Sequence, residues 1–241
     1  MQSLPPNQRS WRHIWRRMAA EAPAVAVTAA FLILYVDLPV ALRLAQHTDS
    51  DAPVLLQTIS HLGRGEYYLA GAALLLSLGW WRLRRVAGCQ LGSAMLRAGS
   101  LILGTLAIGH LLVFVLKQTL ARLRPSELVR SGEYGFAAPF SGEPFTSLPS
   151  SHCFTAFAMA AVLSRLQPEL RAVFFGAAML VAVQRLLAQQ HFLSDIFVSL
   201  FLALMVSSAA EALWQTAAAR LARRLTRISA PARHPQRSPR R

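Results

Sequence analysis

The sequence predicts an all-α integral membrane protein, a bundle of six transmembrane helices, and three observations predict it. Hydrophobic residues fill 54% of the 241 positions and charged residues 15%, a balance too apolar for a water-soluble domain. The apolar residues come in blocks long enough to cross a hydrocarbon layer of about 30 Å. The basic residues behind the net charge of +14 gather at the ends of those blocks. In lipid every backbone polar group needs an internal partner, so blocks of this kind fold as helices.

Taken in order, residues 1–20 read as a basic cytoplasmic tail, 21–217 as the membrane domain and 218–241 as a second basic tail. Both tails are polar enough to be expected disordered. The first block covers 22–42, behind Arg9, Arg12, Arg16 and Arg17. A basic stretch before an apolar one also describes a signal peptide, but no clear cleavage site follows. The loop at 43–65 is mildly polar and suits a helix lying on the membrane surface. Blocks follow at 66–82, ending on the interfacial pair Trp80 and Trp81, and at 95–117. The long loop at 118–150 mixes Gly and Pro with Tyr134, Phe136, Phe140 and Phe145, and connections of that length are often functional. The last three blocks cover 151–167, 169–189 and 193–214. No internal repeat is visible.

Of 25 basic residues, 18 fall on the side of the two termini and 7 on the other. The positive-inside rule then places both termini in the cytoplasm and the opposite loops in the periplasm of a bacterial inner membrane. Charge confined to block ends argues against nucleic acid as a partner and for the bilayer. Cys89 and Cys153 fall at opposite faces, so no disulfide is expected between them.

Three segments on the periplasmic side carry chemistry: Lys117-x6-Arg124-Pro125, Pro149-Ser150-Ser151-His152 and Arg185-x5-His191-x3-Asp195. Lys117 is the single lysine among those 25 basic residues, and a compact ammonium meets a phosphate oxygen differently from a planar guanidinium. Lys117 and Arg124 share a helix face if the third span continues through them, until Pro125 stops it. Ser150 and Ser151 suit a helix start, where free N–H groups attract anions. His191 and Asp195, four apart, allow a carboxylate to orient an imidazole. Arg185 joins them only if the chain turns near Gln189 and Gln190. Each segment alone has a plainer explanation: snorkelling cations, a capped helix, a capping acid beside an interfacial histidine.

Together the three resemble the type 2 phosphatidic acid phosphatase family, whose pattern is K-x6-RP, then PSGH, then SR-x5-H-x3-D. The match spans 117–195 and departs at Ser151, which replaces a glycine, and at Gln184, which replaces a serine. The resemblance implies a phosphohistidine on His191, with Asp195 orienting it and His152 acting as acid and then base. It implies that Lys117, Arg124, Ser150, Ser151 and Arg185 bind the phosphate. No cofactor or metal is expected; His47, Asp49, Asp51 and His61, the other candidate ligand group, read as a solvated loop. The expected function is a metal-independent hydrolase of a lipid phosphate such as phosphatidic acid, phosphatidylglycerophosphate or lipid A. The alternatives are an undecaprenyl diphosphate phosphatase and a non-catalytic transporter or scaffold that binds lipid headgroups.

Overall fold

The computed structural model describes residues 6–47, 54–86 and 88–229. Helix α1 (Pro6–Phe31) passes through a π-helical turn, Leu32–Val36, into α2 (Asp37–His47). A short α3 (Val54–His61) leads into α4 (Gly65–Arg85) and the long α5 (Gln90–Leu120). Helix α6 (Pro125–Ser131) opens the long loop. Helix α7 (Ser151–Leu166) joins α8 (Arg171–Leu187) through a 3-10 turn, and α9 (Leu193–Ser229) follows. Among the described residues there is no β-strand, only one antiparallel bridge between Arg122 and Phe136.

Every expected apolar block is helical, but four segments are long and apolar enough to cross a membrane: Met18–Gln46, Gln90–Leu120, Pro168–Leu187 and Leu193–Leu221. Helix α7 has 16 residues, short of a full span. Helix α4 carries Glu66 in its first turn and Arg82, Arg84 and Arg85 in its last. The expectation of six spans is thus met by four on length and composition.

The tails also differ from expectation. Helix begins at Pro6, well inside the stretch expected to be disordered, and α9 runs on to Ser229. Once a span has nucleated a helix, extending it into an arginine-rich flank costs little, because propagation adds one hydrogen bond per residue fixed. Asp49 and Asp51 lie outside the described residues.

Helix α7 is the axis of the bundle, packed on α5, α8 and α9. Phe154, Phe157, Met159 and Val162 are buried along it. Helix α5 reaches α7 through Gly109, where an added Cβ would sit 1.8 Å from the Phe154 ring. It reaches α4 through Gly99, where a Cβ would lie 2.9 Å from the Ala72 carbonyl. Small residues bring helix backbones close, which is the chief source of packing energy in lipid.

Candidate active site

Helix α5 stops three residues after Lys117. Ala121 takes a left-handed conformation at φ 43° and closes the last turn, with its N–H on the Lys117 carbonyl. Lys117 and Arg124 therefore do not share one helix face, as the sequence suggested. Arg124 is extended and sits at the N-cap of α6, with Pro125 in the first helical position, where a missing N–H costs nothing. The two cations meet instead on the loop that returns to α7. Lys117 Nζ donates to the Thr146 carbonyl, and Arg124 Nη2 donates to Thr146 Oγ1 at 3.0 Å.

The loop is held in place by backbone bonds to the segment after α5. Leu123 N–H donates to Gly135 O, Ala137 N–H to Ala121 O, Phe140 N–H to Gln118 O and Ser147 N–H to Arg122 O. The last of these fixes Ser147, whose carbonyl accepts a 2.8 Å hydrogen bond from His191 Nδ1. A carbonyl can only accept, so Nδ1 carries the proton and Nε2 keeps its lone pair. The Asp195 carboxylate, the partner expected from sequence, is 3.7 Å from Nδ1. Asp195 reaches His191 mainly through Ser147, whose hydroxyl donates to Oδ2 at 2.6 Å. The same oxygen accepts Phe192 N–H at 2.8 Å, so Asp195 also caps the start of α9.

His191 is buried and lies in the turn between α8 and α9, just after Gln189 at φ 52°. Burial pushes its imidazole down to about 4, against the upward pull of Asp195 and with the downward push of Lys117 and Arg185. Arg185 and His191 in turn lie within electrostatic range of His152 at the start of α7. Arg185 Nη1 makes one long contact, 3.4 Å, to Ser60 Oγ on α3. Arg185 Nε and Arg124 Nε are buried donors without a protein partner among the described residues, as suits cations that serve an anion.

Ser150 is fully buried and its hydroxyl accepts Cys153 N–H at 3.3 Å, so it caps α7 rather than offering Oγ outward. The cap leaves the N–H groups of Ser151 and His152 as the open donors of that first turn. Gly63, ahead of α4, packs flat on His152: a Cβ there would lie 2.8 Å from His152 Cβ. Below the histidine, its face of α7 continues as Ala156, Met159, Ala160 and Leu163. These line a groove of about 180 Å3 with Leu62, Tyr68, Phe174 and Ala177. Among the described residues, no three His, Cys, Asp or Glu side chains stand close enough to hold a metal ion.

Residues 98–219, about half of the chain and the part that contains all three motifs, match the sequence model of the PAP2 superfamily. The chain belongs to that superfamily. It is 33% identical over 103 residues to a lipid A 1-phosphatase of Rhizobium johnstonii, covering 42% of each chain. It is 32% identical to one of Rhizobium etli, covering 42% of this chain and 44% of that one. The chain thus spans under half the length of these relatives. Two crystal structures are also similar. One is Aquifex aeolicus LpxE (TM-score 0.47, 20% identity, 73% of this chain and 95% of that one). The other is a PAP2-type phosphatidylglycerolphosphate phosphatase from Bacillus subtilis (TM-score 0.48, 19% identity, 87% and 96%).

Sequence reading missed several residues of this PAP2 site. Thr146 and Ser147 carried no motif. Glu143 ion-pairs with Arg124 at 2.8 Å. Arg122, fully buried, spans Asp195 Oδ1 at 2.7 Å and Asp37 Oδ2 at 2.8 Å. Burial alone would lower the pKa of that guanidinium, but the two carboxylates more than offset it and hold it raised. The available signal was Asp37, an acid inside an apolar block, which is costly unless paired.

Proposed function

We propose that this protein is a bacterial inner-membrane phosphatase that removes phosphate from a lipid through a phosphohistidine on His191, at the periplasmic face. The observation that carries the reading is a neutral, buried imidazole, its Nδ1–H fixed on Ser147, beside Lys117, Arg124 and Arg185. Binding an anion needs the cations. It does not need an imidazole whose free nitrogen has been selected by a hydrogen bond on the other.

In the first step Nε2 of His191 attacks phosphorus. The P–N bond forms as the ester P–O bond breaks, and His152, whose imidazole is held down at about 4 by burial and Arg185 in the free site, takes up a proton beside the bound phosphate anion and gives it to the leaving oxygen. In the second, neutral His152 takes a proton from water as the water oxygen attacks phosphorus. The P–N bond breaks, its electron pair returns to Nε2, and inorganic phosphate leaves. Lys117, Arg124, Arg185 and the N–H groups of Ser151 and His152 hold the equatorial oxygens. Phosphoryl transfer depends mostly on such positioning and charge stabilisation, and these fixed cations supply it without a metal.

The groove below His152 supports an amphiphilic substrate. Its α7 wall begins at Ala156, four residues after His152, and Leu62 on its rim precedes Gly63, which packs on that histidine. One hydrocarbon chain of the lipid lies there while its phosphate is in the cradle. The names of the Rhizobium relatives favour a lipid A-type glycolipid phosphate as the first substrate to test.

The test is phosphate release by the purified full chain in detergent, on lipid A, phosphatidic acid, phosphatidylglycerophosphate and undecaprenyl diphosphate. Release from at least one of them should persist in strong chelator, and His191→Ala should fall to background with unchanged elution. Near-normal release by His191→Ala would overturn the mechanism.

A further inference from the structure

The matched segment begins at residue 98, yet a carboxylate from the first helix is bound into the site. Asp37 is buried, as are Arg122, Ser194 and Asp195. Its Oδ1 accepts Ser194 N–H at 3.0 Å. Its Oδ2 accepts Arg122 Nη2 at 2.8 Å and the Ser194 hydroxyl. Arg122 Nη1 donates onward to Ser194 Oγ at 2.6 Å and to Asp195 Oδ1 at 2.7 Å. Its guanidinium also lies 4.2 Å from the centre of the Phe192 ring. Asp195 is thus gripped on both oxygens, by Arg122 on one side and by Ser147 and Phe192 N–H on the other.

The backbone of the first helix is reshaped at this point. In an α-helix the Asp37 N–H would bond Ile33 O. In the π-turn it bonds Leu32 O instead, and the freed Ile33 carbonyl accepts the Tyr134 hydroxyl at 2.8 Å. Tyr134 Oη in turn accepts Arg122 Nη2 at 3.1 Å. Single π-turns inside α-helices occur frequently at functional sites. Here the turn supplies a side chain and a carbonyl to one guanidinium network, from a helix outside the matched segment.

We infer that Asp37, with Arg122 and Tyr134, is a positioning device for catalysis: it fixes Asp195 and, through Ser147, the imidazole of His191. The inference rests on the phosphatase reading above. It assigns the first helix a part in the chemical step and none in holding phosphate, since Asp37 and Tyr134 are tied to Arg122 and not to Lys117, Arg124 or Arg185.

The test is Asp37→Asn in the full chain, assayed on whichever lipid phosphate the wild type hydrolyses. This substitution leaves Arg122 and Asp195 as a neutral buried pair, so a folded protein is expected. Turnover should fall about a hundredfold, the size of effect that misplacement by about 1 Å produces. KM and the inhibition constant for inorganic phosphate should stay within about twofold, because the phosphate cations are untouched. A folded Asp37→Asn protein with wild-type turnover would overturn the inference, as would a loss confined to KM. If that variant fails to fold, Tyr134→Phe decides the matter from the loop side. A several-fold lower turnover at unchanged KM supports the device, and wild-type kinetics overturns it. NMR of 15N-labelled histidine reads it without substrate. A sharp His191 Nδ1–H signal in wild type that broadens in Asp37→Asn supports it, and an unchanged signal overturns it. A wild type inactive on every lipid but showing that NMR change would remove the phosphatase reading and leave the positioning intact.

Discussion

His191 is where the charge state of one residue decides both rate and stability. Its imidazole is pushed down to about 4 by burial, whereas an unfolded histidine titrates near 6.5. The proposed nucleophile is therefore neutral above about pH 5, and kcat/KM should show no loss from His191 between pH 5.5 and 8, then fall in more acid solution. The sign for stability is the same. Between the two values the unfolded chain binds more protons than the folded one, so stability drops as pH falls from about 6.5 towards 4. A pH–rate profile and melting curves over that range check both; an activity limb centred near 6.5 belonging to His191 would contradict the burial. The candidate site residues were legible because two of the three motifs set charged groups at fixed spacing and the third sets a histidine at a helix start. Arg122 was not, because its meaning lies in Asp37, 85 positions earlier, and spacing reports only local partners. Ser147 was invisible for another reason: it contributes a backbone carbonyl to His191, which any residue could supply.

At the scale of elements, the apolar blocks gave the helices, and their ends were the least legible part. Lys117 and Arg124 looked like one helix face because seven residues make two turns. The left-handed turn at Ala121 breaks that face, and nothing in the local sequence asks for a non-glycine there. The π-turn at Leu32–Val36 was equally hidden, since leucine, isoleucine, tyrosine and valine suit any apolar helix. The approach of α5 to α7 is a sharper matter. At Gly109 the Phe154 ring occupies the space of a Cβ, and Phe154 is two residues from His152. Gly109→Ala should destabilise the protein by about 1–3 kcal/mol, the usual cost of overpacking, and should lower turnover as α7 shifts. Thermal melting in detergent beside the rate assay measures both; a melting point equal to wild type would mean the helices separate without cost. Gly104, on the same helix with nothing beyond the helix itself within 4 Å of an added Cβ, is the control, and Gly104→Ala should leave both unchanged.

For the whole molecule, orientation and substrate are one question, because the site must open towards the leaflet that holds its lipid. On the positive-inside rule the arginine-rich ends of the blocks would hold both termini in the cytoplasm, so a reporter fused after Arg241 should be active only there; periplasmic activity would reverse the proposed topology and move the site. The lipid prediction follows from how the bundle is built. Lys117 lies in the last turn of α5, Ser151 and His152 open α7, and His191 joins α8 to α9, so the cradle lies at helix ends, where on the proposed function a headgroup would arrive with its tails still in hydrocarbon. The groove lies between α7 and α8 and begins at Ala156, four residues after His152. Tail binding there would be spent on orienting the phosphate, which raises turnover on lipids above that on soluble esters. Ala177, on the α8 wall two turns below Arg185, separates these contributions. Ala177→Phe should fill the groove and cost the contacts of two or three methylenes, at about 0.8 kcal/mol each. That is on the order of a ten- to fiftyfold loss in kcat/KM on a long-chain lipid phosphate. A short water-soluble monoester, which never enters the groove, should be hydrolysed by the variant as by wild type. Equal losses on both would mean that the substitution disturbs the cradle itself. No loss on either would place the chain elsewhere on the bundle, and equal wild-type efficiency on the two substrates would leave phosphatase chemistry without a lipid.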